Sequence, residues 1–223
     1  MPWRAIFGQK YTERSSRNKI VIYTSKTPGI IKPLYRDLIW NYPRTGNTIY
    51  LTFDDGPQPV TLEVLDLLAE YDAKATFFCV GSQVEKHPEI YDALIRNGHR
   101  VANHSHTHPN GWKTKNAQYF RDVLTADRLI ESTYFRPPYG RITQSQARAL
   151  KTRFSLVMWD VLSGDFDPSR SAQRCAQAVI RHTEPGSIVV FHDSQKAATR
   201  MMPALRESLK ALHDRGMQFS TLP

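Results

Sequence analysis

The feature that most constrains this chain is a pair of adjacent carboxylates, Asp54 and Asp55, at the end of an apolar run that begins at Ile49. A buried strand cannot easily hold two neighbouring acids, so the pair must lie where the strand ends, and Gly56-Pro57 favours a turn there. Successive side chains of an extended segment point in opposite directions, so one carboxylate can bind a metal while the other handles a proton. The alternative is a solvated turn, and residues further along the chain bear on that choice.

From residue 48 onward, short apolar runs alternate with helical patterns, which predicts parallel strands joined by crossover helices. Seven strands that alternate with six helices fit an α/β barrel better than an open sheet. With 223 residues and 40% hydrophobic content, the chain is long enough for one large core. The predicted strands lie near residues 49–53, 75–80, 99–103, 133–137, 155–161, 187–192 and 217–221.

The net charge of +9 is concentrated near the N-terminus. Residues 1–46 hold nine Lys and Arg against Glu13 and Asp37, which leaves a net charge of only +2 for the rest. We therefore divide the chain into a short basic N-terminal extension, 1–47, which packs on the barrel or trails from it, and a main domain, 48–223, that forms the barrel. The extension is either a solvated, partly ordered segment or an arm that makes weak contact with an anionic surface, and no nucleic acid is expected as a partner.

Targeting and cysteine patterns add little. No apolar run approaches the length of a membrane span, and the first residues lack the apolar region of a secretory signal, so a cytoplasmic location is the default expectation. Cys79 and Cys175 form no short-spaced metal or redox motif, and Cys79 lies in an apolar run typical of a buried, inert thiol.

Unusual polar residues follow the predicted strands directly. In α/β barrels the C-terminal ends of the strands share one face, so clusters that are far apart in sequence would converge there. These clusters are Asp54-Asp55, His104 to His108, Arg136 to Tyr139, Asp165 and His192.

His104 and His108 are spaced i and i+4, which lets both imidazoles reach one ion if the segment makes a turn. With Asp55 they supply three ligands, the number that a catalytic zinc site keeps beside a water whose pKa falls to about 7. The alternative is a surface loop or an adventitious metal site. His106 lies between the two ligands, and we assign it no role.

Two further clusters have structural as well as functional interpretations. Arg136 precedes Pro137-Pro138, which stiffens the chain, and its guanidinium can pair with a carboxylate at the same rim. The alternative is a structural turn with an ordinary surface arginine. His192 follows a strand too apolar to be exposed, and it is either an acid or a satisfied residue of the core or rim.

Together these residues resemble the five motifs of the polysaccharide deacetylases of the NodB-homology type, carbohydrate esterase family four. The resemblance covers roughly residues 48–221 and does not include the N-terminal extension. Phe166 stands where the family usually has Trp, Leu162 where an Asp is common, and Val190 where Leu is usual. The matching motifs are Thr52 to Gly56, His104-Ser105-x-x-His108, Arg136 to Tyr139, Trp159 to Phe166 and Val190 to His192.

The resemblance implies a distorted, NodB-like (β/α) barrel with about seven parallel strands and one divalent metal, usually Zn²⁺ and in some members Co²⁺ or Ni²⁺. By position, Asp55, His104 and His108 would bind this metal. Asp54 would take a proton from the metal-activated water, and Arg136 would pair with Asp54.

The remaining motif positions have implied roles on the substrate side. The backbone N–H of Tyr139 would stabilise the oxyanion, and His192, oriented by Asp165, would protonate the departing amine. The resemblance places three further residues, Pro138, Trp159 and Val190, at the substrate groove. Elementary chemistry agrees with this division, because an amide nitrogen leaves poorly as an anion and needs an acid opposite the base.

We therefore expect a metal-dependent hydrolase that removes N-acetyl groups from amino sugars of a polysaccharide, an oligosaccharide or a cell-envelope glycan, such as peptidoglycan or a chitin-like polymer. One alternative is a hydrolase of a small amide or imide on the same barrel. Another is a catalytically silent module that binds a glycan or an anionic surface through residues 1–46. The complete set of polar residues disfavours the silent module.

Overall fold

The structure, a computed structural model, describes residues 23–223, and predictions for residues 1–22 of the N-terminal extension lie outside the described residues. The strands of the described part are Thr48–Asp54 (β1), Ala75–Cys79 (β2), Arg100–Asn103 (β3), Tyr134–Phe135 (β4), Ser155–Leu156 (β5), Val161–Leu162 (β6), Ile188–His192 (β7) and Gln218–Phe219 (β8). The α-helices are Val60–Ala69 (α1), Gly81–Lys86 (α2), Pro88–Arg96 (α3), Asn116–Asp127 (α4), Gln144–Leu150 (α5), Ala172–His182 (α6) and Ala198–Asp214 (α7), and short 3₁₀ helices span Lys32–Tyr35 and Pro138–Gly140.

Seven parallel strands form a curled half-barrel in the order β5-β4-β3-β2-β1-β7-β6, and β8 pairs with the start of β1. The predicted α/β barrel is thus confirmed. The register decides which residues meet at the carboxyl edge of the sheet. Asp54 lies opposite Phe78 on one side and His192 on the other, and Asn103 lies opposite both Cys79 and Phe135.

The predicted strand at 155–161 is wrong as a single element. Its first part pairs with β4 at one end of the sheet, and its last part pairs with β7 at the other end. The four residues between them cross the opening of the half-barrel, so they cannot follow either strand. The short helix α2, Gly81–Lys86, was not predicted, because six residues are too few to establish a helical period.

Side chains of the central strands alternate between two cores. Phe53 of β1 stacks on Phe77 of β2, with ring centroids 4.8 Å apart, and belongs to the core beneath helices α1, α6 and α7. The next residue of β2, Phe78, belongs to the second core with Phe135 and Val190. The two cores cover both faces of the sheet, as a parallel sheet requires. Each fully buried aliphatic or Phe side chain in them contributes about 1.5–3 kcal/mol relative to exposure.

The described part of the N-terminal extension packs across the opening of the half-barrel. Lys26 forms an isolated antiparallel β-bridge with Val161, and Ile39 forms an isolated parallel β-bridge with Val157. Beneath it lies a fully buried carboxylate, Asp160, whose oxygens are 2.8 Å from Lys26 Nζ and 2.6 Å from Lys32 Nζ. Burial alone would raise the pKa of Asp160, but the hydrogen bonds from these two lysines hold it below its usual value. Two of the basic residues of the extension thus neutralise a charge of the barrel.

Within residues 23–223, no helix combines the length and the apolar character needed to span a bilayer.

Candidate active site

The site lies at the carboxyl edge of the half-barrel, where β1 passes into a sharp turn. Asp54, the last residue of β1, is 4% exposed, and Asp55 adopts a left-handed conformation with φ of 81°. The following Gly56-Pro57 peptide bond is cis. The two adjacent carboxylates leave the strand in different directions: Asp54 reaches Arg136, and Asp55 reaches His108.

Asp55, His104 and His108 form a cluster of three ligand atoms that all lie within 4.8 Å of one another. The Asp55 carboxylate Oδ1 is 3.1 Å from His108 Nε2 and 3.8 Å from His104 Nε2. The two Nε2 atoms are 3.2 Å apart. Two imidazoles and a carboxylate facing one point form the donor set that zinc and other divalent first-row metals prefer. These residues fit a divalent metal.

Protonation of the cluster also suits metal binding. His104 Nδ1 lies 2.8 Å from the carbonyl oxygen of Arg136, which can only accept a hydrogen bond, so Nδ1 carries the proton. The unprotonated Nε2 therefore has a lone pair available for a metal ion. Burial, together with the neighbouring His108, lowers the pKa of His104 to about 4, despite the opposing carboxylates. Burial alone would raise the pKa of Asp55, but the hydrogen bond from His108 and the nearby imidazoles hold it well below its usual range.

The loop that carries the two histidines is a strained turn and not a helical one. Ser105 and His108 both have positive φ values, 67° and 59°. The Ser105 hydroxyl accepts from the His108 N–H at 3.1 Å, and the Asn103 side chain accepts from the Ser105 N–H at 2.7 Å. Asp122 of α4 accepts from the N–H groups of His106 and Thr107 at 2.8 and 3.0 Å.

Sequence patterns did not identify Asn103 and Asp122. Asp122 lies 16 residues from His106, on a separate helix, and no local spacing relates the two. Asn103 directly precedes His104 at the end of β3, and a buried amide at a strand end was the one available indication. His106 itself points away from the cluster, since its Nε2 lies 3.7 Å from Glu85.

Arg136 is fully buried and holds Asp54 in place. Its Nη1 lies 2.6 Å from Asp54 Oδ1 and 2.8 Å from the hydroxyl of Thr52, and its Nη2 donates to the carbonyl of Met158 at 3.0 Å. The guanidinium also lies over the ring of Phe78, 4.0 Å from its centroid. The second oxygen of Asp54, Oδ2, lies 3.9 Å from His104 Nε2 and so faces the ligand cluster.

On the other side of the cluster, His192 is paired with Asp165. Asp165 Oδ1 lies 2.7 Å from His192 Nδ1, and its Oδ2 accepts from the His192 backbone N–H at 2.9 Å. Burial disfavours the imidazolium, but the charge and hydrogen bond of Asp165 outweigh it and raise the pKa of His192 to about 9. At neutral pH His192 is therefore protonated. The ring of Phe166 packs edge-on against it, with centroids 5.2 Å apart.

The turn after β4 brings Tyr139 beside the cluster. The residue is 54% exposed, its ring packs edge-on against the ring of His108 with centroids 4.5 Å apart, and its backbone is left-handed with φ of 59°. The role of its N–H as an oxyanion donor stays a prediction. Pro138 and Trp159 are buried around this turn, and Val190 is fully buried in the core. Direct contacts of these three residues with substrate likewise stay predictions.

The structure thus brings residues from five strand ends to one edge: a three-ligand cluster, a carboxylate held by a buried guanidinium, and a protonated imidazole held by a carboxylate. Such a set can bind a cation, accept a proton from water and donate a proton to a leaving group.

Comparisons with known proteins agree with this geometry. Residues 41–154 match the family model described as polysaccharide deacetylase. The chain is 35% identical over 205 residues to a chitooligosaccharide deacetylase of Bradyrhizobium sp. (strain ANU 289), covering 82% of this chain and 93% of that protein. It is 30% identical over 194 residues to a peptidoglycan-N-acetylglucosamine deacetylase of Bacillus cereus, covering 82% of this chain and 90% of the relative.

A crystal structure of the Bc1960 peptidoglycan N-acetylglucosamine deacetylase, in complex with a hydroxamate-type benzamide, has the same fold. It superimposes with a TM-score of 0.80 at 28% sequence identity, covering 88% of this chain and 95% of that one. The motif resemblance, the family model and the curled half-barrel agree, and the chain belongs to the polysaccharide deacetylase family.

Proposed function

We propose that this protein hydrolyses the N-acetyl group of N-acetylglucosamine residues in a chitin-like oligosaccharide or in peptidoglycan, releasing acetate and a free amine. The observation that carries the proposal is the placement of a buried Asp54–Arg136 pair and a protonated His192–Asp165 pair on either side of a three-ligand cluster. The substrate class follows from the chitooligosaccharide and peptidoglycan deacetylases that the chain resembles.

Asp55, His104 and His108 would hold one divalent metal, for which we favour Zn²⁺ over Co²⁺ or Ni²⁺. When bound, this ion supplies Lewis acidity to the amide carbonyl and to the attacking water. The buried, neutral His104 and the ionised Asp55 are already in the states that ligands require.

Asp54 is the base in this scheme. One of its oxygens is fixed by Arg136, and the other faces the ligand cluster, where the attacking water would lie. The water proton passes to this second oxygen as the new C–O bond forms on the acetyl carbon. Arg136 keeps the carboxylate oriented without itself contacting substrate.

His192 is the acid. Because Nδ1 is bound to Asp165, the proton available to the substrate is the one on Nε2. This proton passes to the amide nitrogen as the C–N bond breaks, so the amine leaves neutral and the acetyl group leaves as acetic acid, which ionises to acetate in solvent. Asp54 then releases its proton and His192 takes one up, which restores the site. The N–H of Tyr139 would donate to the oxygen that becomes negative in the tetrahedral intermediate.

Acetate release from N-acetylglucosamine oligomers of increasing length and from peptidoglycan fragments, measured with Zn²⁺-loaded protein, tests the proposal. We expect release from one or both polymers and little from small amides or cyclic imides. Release of acid from small amides alone would mean that the protein is an amide hydrolase with a different substrate. Binding to the glycans without any release would favour the silent module.

A further inference from the structure

We propose that Asp193 is a positioning residue for the metal ligand Asp55, and that it fixes the loop of Asp55 to the strand end that carries His192. This inference rests on the proposed function, because it takes Asp55 to be a metal ligand. Asp193 directly follows His192, is 1% exposed, and has no role in the mechanism described above.

The Asp193 carboxylate accepts two hydrogen bonds from the segment after β1. Its Oδ1 accepts from the backbone N–H of Gly56 at 3.1 Å, and its Oδ2 accepts from the hydroxyl of Thr61 at 2.6 Å. The Asp193 N–H in turn donates to the carbonyl of Asp54 at 3.1 Å. One residue therefore holds the chain on both sides of Asp55.

These contacts account for the backbone donors of residues 56–59. Pro57 and Pro59 have no N–H, and the N–H of Gln58 donates to the Thr61 hydroxyl at 3.0 Å. That hydroxyl in turn donates a hydrogen bond to Asp193. Every N–H of the four-residue loop thus depends on the Asp193 carboxylate, directly or through Thr61, so the position of the loop depends on it as well.

Gly56 makes room for this arrangement. A Cβ atom at position 56 would lie 2.0 Å from Asp193 Oδ2 and 2.5 Å from its Cγ. The carboxylate therefore occupies the space that any other residue would fill. Glycine and Asp193 form a matched pair across two loops that are 137 residues apart in sequence.

Co²⁺ binding tests the role without any substrate, through the visible absorption spectrum and through affinity measured by chelator competition. The informative variant is Thr61→Val, which keeps the shape, leaves the charge unchanged and removes the hydroxyl between Gln58 and Asp193. We expect about 10-fold weaker Co²⁺ binding and an altered spectrum, since partners of this kind typically change metal affinity 10- to 100-fold. Thr61→Ser retains the hydroxyl and should show wild-type Co²⁺ affinity and spectrum. Asp193→Asn should bind Co²⁺ as weakly as Thr61→Val does, or more weakly.

Asp127→Asn is the matched control, because it neutralises an Asp that pairs with Arg153 outside the site, and it should leave Co²⁺ affinity and spectrum unchanged. Urea unfolding of each variant separates folding from metal binding. If Thr61→Val and Asp193→Asn lose stability but bind Co²⁺ as tightly as wild type and with the same spectrum, Asp193 is merely structural and the inference is overturned. A wild-type protein that binds no Co²⁺ would refute the proposed metal site, and the positioning role with it.

Discussion

Arg136 Nη1 and Asp54 Oδ1 lie 2.6 Å apart in a place where the guanidinium has no exposed surface. The same guanidinium donates to Thr52 and to two main-chain carbonyls, so four of its five N–H groups bind the protein, and its complete burial keeps it away from solvent. The pair therefore acts as a unit in which Arg136 sets the orientation of the base.

Breaking this unit should affect stability and activity together. Arg136→Met leaves Asp54 buried and uncompensated, which we expect to cost about 3–5 kcal/mol in free energy of unfolding. Arg136→Lys keeps the charge but loses the planar fork, so a smaller stability loss, about 1–3 kcal/mol, should accompany a reduced kcat. Urea unfolding and steady-state kinetics measure the two effects. An Arg136→Met enzyme with wild-type kcat would refute the role of the pair.

The pH dependence should report His192. As the acid it must be protonated, so kcat/KM should fall as pH rises through about 9, the pKa that Asp165 sustains. In Asp165→Asn the opposing effect of burial prevails, so the pKa of His192 should drop to or below its ordinary value of about 6.5. The alkaline limb of the profile should then move by more than two pH units toward acid.

A matched control for this shift is Asp167→Asn, which changes a neighbouring carboxylate bound to Tyr23 and Ser169. Its alkaline limb should stay near pH 9. An alkaline limb that is the same in wild type and Asp165→Asn would show that His192 is not the titrating acid.

Metal binding should stabilise the fold measurably. At a free Zn²⁺ concentration 100-fold above Kd, mass action adds about 2.7 kcal/mol, or roughly 5–10 °C in Tm for a chain of this size. His108→Ala should lose this increase, because it removes one of three ligands, whereas His213→Ala, at an exposed site on α7, should keep it. Thermal unfolding with and without a chelator measures the difference. An undiminished Zn²⁺ response in His108→Ala would contradict the ligand assignment.

Gly140 is required by the turn that presents Tyr139. It has a φ of 64°, and a Cβ there would lie 2.7 Å from Trp159 Cη2 and 3.2 Å from Met158 Cε. Gly140→Ala should therefore combine backbone strain with overpacking, about 2–4 kcal/mol in all, and should lower kcat by displacing Tyr139. Gly46→Ala is the control, because Gly46 has a φ of 69° with open space around it and shows strain alone. Equal losses of stability in Gly140→Ala and Gly46→Ala, with wild-type kcat in Gly140→Ala, would contradict this role of Gly140.

Much of the fold and of the site follows from local patterns. The alternation of apolar runs with helical segments predicted the parallel sheet, and the rule that strand ends share an edge predicted that Asp54, His104 and His192 would meet. Each of these residues lies directly after an apolar run, so its position on the edge could be inferred without tertiary information.

The supporting residues could not be inferred in this way. Asp122 and Asp193 act through hydrogen bonds to backbone groups 16 and 137 residues away, and such contacts leave no period in the sequence. The charge of the basic N-terminal extension does not reveal which acid of the barrel it pairs with. Lys26 and Lys32 contact Asp160, an acid within an otherwise apolar run. That contact could be inferred only once it was known that this run divides into β5 and β6 and crosses the opening of the half-barrel between them.

The most direct test of the proposed mechanism compares wild type, Asp54→Asn and His108→Ala for acetate release from N-acetylglucosamine oligomers and for bound Zn²⁺ in the same samples. Wild type should hold one metal and release acetate. Asp54→Asn should keep the metal and lose at least about 100-fold in kcat, because it lacks the base, and His108→Ala should lose both. Equal loss of metal in the two variants, or wild-type acetate release by Asp54→Asn, would contradict the assignment of Asp54 as base and His108 as ligand.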